Sequence, residues 1–220
     1  MNFIKYPALI LILTLSTFCA YSKNLFIQPW IGAGVTGSNE PYWTNDHAIH
    51  ATTGGVRLGY SFSRISIGIG AGLLNTGLGL KGMTFVQQYN PQTGLAIEKV
   101  DVKLRYSELF IPVTVGIKVF DAGKFTILPE VGVAPTYTLR YNGKQTNQTT
   151  GKEVKTVSTT LNERFSLLAL GAINIRYNLH RRLGIALTPT YYRMLNDLTN
   201  LSSSPNRYAI TANVGLVLTL

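Results

Sequence analysis

From Gly55 to Ser63 the chain sets Val56, Leu58, Tyr60 and Phe62 on one face and Gly55, Arg57, Gly59, Ser61 and Ser63 on the other. Only an extended strand repeats every two residues. Segments of this kind, each roughly ten residues long, recur along the chain with polar, turn-rich stretches between them, which is the pattern of a closed barrel in a bilayer. A soluble sandwich also alternates, but here the non-apolar face carries minimal side chains and a long cation rather than a mixed set of charges. That face suits a narrow polar lumen.

The first residues read as an export signal. Lys5 gives a positive start, the stretch 8–18 is mostly apolar, and Ala20-Tyr21-Ser22 offers the small residues that a signal peptidase requires. The expected division is a signal peptide over 1–22 and one barrel domain over 23–220. The apolar stretch falls short of the roughly twenty residues that a spanning helix needs. Any crossing of a membrane must then be made by strands. The single cysteine, Cys19, lies within this signal, and the bulky Phe18 before it disfavours lipid attachment. Cleavage after Ser22 would leave a chain without a thiol, and so without a disulfide or a cysteine metal site.

The formal charge is +10 and the isoelectric point near 9.8. The basic residues are spread through strands and loops rather than clustered, which argues against nucleic acid. Export makes outer-membrane lipids and lipopolysaccharide the expected anionic counterpart.

Eight strands follow from the periodicity. The first runs from about Leu25 to Thr36, with Pro29 a costly residue inside a ladder, and the second is Gly55–Ser63. The third has Ile65, Ile67, Ile69, Ala71 and Leu73 opposite Ser66, Gly68, Gly70 and Gly72, and a long excursion follows it. The fourth sets Leu109, Ile111, Val113, Val115, Ile117 and Val119 against Pro112, Thr114, Gly116 and Lys118. The fifth alternates Phe125, Ile127, Val131 and Val133 with Thr126, Glu130, Gly132 and Thr136, and a polar loop spans 141–160. The sixth, Phe165 to Tyr177, sends Leu168 and Leu170 inward beside Asn174 and Arg176, so a bulge is expected there. Leu183, Ile185, Leu187 and Tyr191 mark the seventh, and the eighth runs from Tyr208 to Leu220.

Connections alternate long and short, and aromatics on the apolar face gather at strand ends. Tyr60, Phe62, Phe125 and Tyr177 form one expected girdle at the short turns. Tyr137, Tyr191 and Tyr208 form the other at the long loops. The fold class expected is therefore all-β, an eight-stranded antiparallel up-and-down transmembrane β-barrel, monomeric, with its long loops outward and its short turns in the periplasm.

Three stretches carry a family likeness: Gly68-Ile69-Gly70-Ala71-Gly72-Leu73-Leu74, Glu108-Leu109-Phe110-Ile111-Pro112-Val113, and Leu128-Pro129-Glu130-Val131-Gly132-Val133-Ala134-Pro135. On these the chain resembles the PorT-like outer-membrane β-barrel family of Bacteroidetes, a small barrel of OmpX-like architecture, over nearly the whole mature sequence. It departs at Phe110, where the family usually has an acidic residue, and at Leu220, where it often ends in an aromatic. The resemblance implies an eight-stranded barrel inserted by the outer-membrane assembly machinery, without a cofactor, and an association with secretion or surface proteins.

Arg57, Lys118, Glu130 and Arg176 all fall on the expected inward face, as a lumenal ion network or a small anion-binding lumen. Unpaired burial of any of them would be costly. The first long loop carries Asp46, His47 and His50, with Glu40 near in sequence. Two histidines three apart can share a metal if the loop curls, or supply a base. No strand-anchored partner accompanies them, so solvated loop histidines remain the simpler reading. The role expected is structural, surface-interacting or secretion-associated, without catalysis. The alternatives are an outer-membrane enzyme acting on lipid A or surface peptides, and a soluble lipocalin-like barrel with its apolar face turned inward around a ligand.

Overall fold

The computed structural model describes residues 24–38, 46–47, 49–90, 94–156, 165–197 and 207–220. The expected export signal, Cys19 and Glu40 lie outside them. In chain order the strands are β1 (Leu25–Ser38), β2 (Asp46–His47), β3 (Ile49–Ser61), β4 (Ile65–Asn90), β5 (Gly94–Phe110), β6 (Val113–Ile117) and β7 (Phe120–Ala122). They continue as β8 (Phe125–Asn147), β9 (Glu153–Thr156), β10 (Phe165–His180), β11 (Leu183–Asp197) and β12 (Arg207–Thr219).

These segments build eight staves. β5 and β6 are one stave, because β4 holds the same register across the gap, with Gly72 opposite Phe110 and Ile69 opposite Val113. The break is chemical: Pro112 has no N–H to give, although its carbonyl accepts from Gly70 N–H at 2.8 Å. Every neighbouring pair is antiparallel, and β1 pairs with β3 on one side and β12 on the other, Trp30 meeting Gly55 and Gly215. The sheet thus closes on itself and leaves no barrel stave as an edge. Pro29 is tolerated inside β1 because the ladder to β12 lapses there, between the Ile27–Leu218 and Trp30–Gly215 pairs.

The alternation holds on each stave. Along β12, Ala209, Thr211, Asn213, Gly215 and Val217 are buried while Ile210, Val214, Leu216 and Leu218 are exposed. The outward face is apolar all round, with Ile31 75% and Val131 65% exposed. So continuous an apolar exterior is incompatible with water and belongs in hydrocarbon. This corrects the soluble lipocalin-like alternative, which requires the opposite facing. The architecture is a transmembrane β-barrel, the form that spans bacterial outer membranes, and that is where its exterior places the chain. Both girdles are present as ring contacts. Tyr60–Phe62 (4.6 Å) and Phe125–Tyr177 (5.1 Å) lie at the short turns, and Tyr137–Phe165 (4.9 Å) and Tyr191–Tyr208 (6.3 Å) at the other end.

Two readings of the sequence change. The excursion after the third strand and the start of the polar loop at 141–160 are strand, not loop: β4 and β5 stay paired as far as Asn90 opposite Gly94, and β8 continues to Asn147, flanked by β9. Alternation of apolar residues ends where the membrane ends, but backbone pairing does not need it. The sixth stave, β10, has one unbroken register with β8 from Phe165 to Tyr177. Its irregularities are on the β11 side, at Leu167/Leu168 and Asn178/His180. Leu168 and Leu170 point inward because part of the lumen is apolar.

Candidate functional site

The wall that faces the lumen is lined with glycine where the largest inward side chains lie. A Cβ on Gly59 would sit 2.1 Å from the Phe26 ring, and one on Gly68 2.1 Å from Arg57 Nε. Gly55, Gly70 and Gly72 leave room for the Trp30 indole, whose atoms lie 2.7, 3.3 and 3.0 Å from their Cβ positions. The glycine-spaced third strand is therefore a mould for a few bulky groups, filling a narrow barrel by large-to-small complementarity.

Near the short-turn half, Arg57 of β3 reaches across β4 and β6 to Glu130 of β8. Nη1 donates to Glu130 Oε2 at 2.7 Å and Nη2 to Oε1 at 2.9 Å, a bidentate pair with side chains 9% and 2% exposed. The path is open because it crosses Gly68 and Gly116, where a Cβ on Gly116 would lie 2.8 Å from Glu130 Cγ. Asn174 Nδ2 donates to Glu130 Oε1 at 3.5 Å and to Gln28 Oε1 at 3.4 Å, and Asn174 Oδ1 accepts from Arg176 Nε at 3.2 Å. The Arg176 guanidinium stacks over Phe26, 4.1 Å from the ring centre. Three of the four inward residues expected from the sequence, Arg57, Glu130 and Arg176, thus form one network of two cations and one carboxylate. Lys118 stays outside it. It sits half-buried at the turn rim in a depression shared with Arg64 and Asp121.

Above this network a layer of apolar and aromatic side chains crosses the lumen. Trp30, Ala51, Leu74, Phe110, Ala134, Leu168, Tyr192, Met194 and Ala209 draw one residue or more from every stave. Phe110 meets Trp30 edge-on at 6.2 Å and Tyr192 at 6.0 Å. Between network and layer lies a cavity of about 60 Å³, bordered by Gln28, Trp30, Arg57, Thr114 and Asn213. It has room for a few waters.

A second ion pair, missed in the sequence, caps the layer on the long-loop side. Arg207 Nη2 donates to Glu108 Oε1 at 3.0 Å, Thr76 and Thr138 hydroxyls donate to the same carboxylate at 3.5 Å, and the guanidinium lies 3.7 Å from the centre of the Tyr106 ring. The signal was present. Glu108 shares parity with Phe110, Pro112 and Thr114, and Arg207 with Ala209, Thr211 and Asn213, so continuing the inward face one step past the apolar stretch reaches both.

The histidine loop does not assemble a site among the described residues. Asp46 and His47 form β2 and pair with Leu80 and Gly79 of β4. His50 is exposed, opposite Val35. No group of three His, Cys, Asp or Glu that could hold a metal ion is found among the described residues.

No protein-family model and no curated protein matches the chain. The solved structures it is similar to include three small barrels. With OprG from Pseudomonas aeruginosa it shares 12% identity and a TM-score of 0.46, over 89% of this chain and 95% of the other. The Neisserial surface protein A gives 7% and 0.45, over 89% and 97%. Ail, the attachment invasion locus protein of Yersinia pestis, gives 8% and 0.44, over 90% and 98%.

Proposed function

We propose that this chain is a non-enzymatic outer-membrane barrel whose work is done by the sheet it raises beyond the bilayer, as a surface-interaction protein. The observation that carries the reading is the length of three staves. On β4 the lipid-facing residues end at Leu73, yet the strand runs on to Asn90, up to roughly 55 Å of further strand at about 3.3 Å per residue. β5 and β8 accompany it. A lumen closed by an apolar layer and two ion pairs favours display over transport. The PorT-like resemblance adds a secretion-associated partner as the second reading. It rests on the three motif stretches, whose glycines and Glu130 also have the packing roles described above. Insertion by the outer-membrane assembly machinery, a monomeric state and an N-terminal export signal belong to the same proposal.

The test is a chain in which residues 80–98 are replaced by a two-residue turn. It should still fractionate with the outer membrane and run at different mobility unheated and boiled, while losing the envelope or extracellular proteins that proximity labelling captures on the full chain. Unchanged labelling would refute an interaction role for the raised sheet. Protease added to intact cells should cut near Gln92 and Thr149 and spare the turns at Arg64, Gly123 and His180, and the reverse would invert the topology.

A further inference from the structure

The outward face of β5 is lipid-facing from Leu109 toward the short turns, and just beyond it the chemistry reverses. Ser107, Arg105, Lys103, Asp101 and Lys99 follow at every second position on that same face. The register sets β8 residues beside them: Arg140 opposite Ser107, Asn142 opposite Arg105, and Lys144 opposite Lys103. Lys103, Arg105 and Arg140 are exposed. Among the described residues the surface carries two acids, and both have partners of their own, Asp101 accepting from Gln148 Nε2 at 2.7 Å and Glu153 pairing with Lys144. Arg140 Nε donates to Asn142 Oδ1 at 3.3 Å, and among the described residues no acid pairs with Lys103, Arg105 or Arg140. A bulge between Ser107 and Glu108 helps to place Arg140, because it makes Leu139 the extra residue. Leu139 is 52% exposed and lies at the border of band and patch. On the far wall, at the Tyr191–Tyr208 rim, Arg193 is the one exposed cation among the described residues of β11 and β12.

Height decides what such a patch meets. Two to six residues beyond Leu109, along strands tilted near 40°, is roughly 5 to 15 Å above the apolar band, the depth of headgroup phosphates. A cation cluster in line with a lipid-facing stripe faces lipid, not the lumen. We propose that Lys103, Arg105 and Arg140 form a docking surface for the phosphates of an outer-leaflet glycolipid of the lipid A type, whose acyl chains lie along Leu109, Ile111 and Val133. Arginine forks take phosphate oxygens bidentately, and three cations on one sheet face match a lipid that carries two phosphates. This rests on the reading of the long-loop side as the outward side, but not on the role assigned to the raised hairpin.

The test uses the full chain in nanodiscs of phosphatidylcholine doped with bis-phosphorylated lipid A, its dephosphorylated counterpart serving as the control. Native mass spectrometry reads the lipid retained. Each cation near an anionic surface is worth about a fivefold change, so K103Q/R105Q/R140Q should bind about a hundredfold more weakly and the single variants R105Q and R140Q about fivefold. K103R/R105K/R140K keeps the three charges but gives up the forks at 105 and 140, so it should retain lipid between the parent chain and the triple glutamine variant. High salt should weaken retention, because the site is exposed. All variants should keep the heat-dependent gel mobility of a folded barrel, and the single variants suffice should the triple one fail to insert. Equal retention of the dephosphorylated lipid, or parental retention by the triple variant, would overturn the proposal. So would a triple variant that loses binding to soluble dextran sulfate while retaining lipid, since the patch would then serve a soluble polyanion. The barrel with residues 80–98 replaced should retain lipid A, which keeps failure here distinct from failure of the surface-interaction role.

Discussion

Glu130→Gln removes one charge without changing volume, at a site where two guanidinium groups depend on it. Its carboxylate accepts both Arg57 bonds at 2.7 and 2.9 Å and one from Asn174, which in turn holds Arg176. With glutamine in place, the lumen contains two buried cations and no anion beside them. Removing one member of a buried pair costs about 3 to 5 kcal/mol, and the Phe26 face beneath Arg176 offsets a small part of that. Arg57→Met should cost less, because Glu130 then keeps Arg176 through Asn174 and the charges balance. The double variant, R57M/E130Q, should be less destabilised than the sum of the singles by about 2 kcal/mol or more, the coupling expected of groups in direct contact. The assay is reversible urea unfolding into thin phosphatidylcholine vesicles, followed by tryptophan emission and by gel mobility. A Glu130→Gln cost below about 1 kcal/mol, or Arg57→Met proving the more damaging, would refute the two-cations-to-one-carboxylate argument.

Val115→Arg places a charge on an outward position 46% exposed near the middle of β6 and should cost roughly 2 to 4 kcal/mol in the same vesicles, whereas Thr114→Ser on the inward face should be nearly neutral. Gly68→Ala should cost about 1 to 3 kcal/mol by pushing its methyl against Arg57 Nε, and should add little in an R57A background, where no side-chain atom reaches that point. Deleting 214–220 removes the pairs Ile31–Val214, Trp30–Gly215, Ile27–Leu218 and Phe26–Thr219, so the chain should fail to close and show no heat-dependent mobility shift. A folded, shifting truncate would contradict the closure argument.

The stave pattern was legible because a period of two is imposed wherever one face meets hydrocarbon and the other does not. Gly55–Ser63 and the Leu109–Val119 stretch declare their facing without any knowledge of their neighbours. Legibility ends where that contrast ends. From Lys99 to Ser107 polar residues still alternate, but with cations outward and Val100, Val102 and Leu104 inward, a pattern of ordinary water-exposed sheet that does not announce itself as barrel. β4 beyond Leu74 is harder still, because Gly77 and Gly79 are buried glycines that give no facing at all. Within the site, Arg57, Glu130 and Arg176 were found because they interrupt a small-residue face. Lys118 has the right parity too, but the wrong height, and parity says nothing of height. Glu108 and Arg207 escaped because each stands at the end of an apolar stretch, where a charge reads as the start of a loop.

The two ion pairs also bear on how one register is chosen among many. Slipping any stave by one residue turns its whole inward set outward, so an alternative pairing that keeps every backbone hydrogen bond still differs in what it exposes to lipid. A glycine-rich face discriminates weakly, since Gly68 or Gly70 is nearly neutral in either facing. Glu130 and Arg57 discriminate strongly, because a slip would carry a charge into the hydrocarbon at the cost that Val115→Arg would measure. Arg57 and Glu130 are 73 residues apart and Glu108 and Arg207 are 99 apart, so each pair ties staves that do not hydrogen-bond to one another. The apolar layer between them supplies burial but tolerates exchange of one hydrophobe for another. The polar groups in the lumen are thus best understood as fixing the barrel's register, with the glycines of β4 and β6 clearing the space in which they meet.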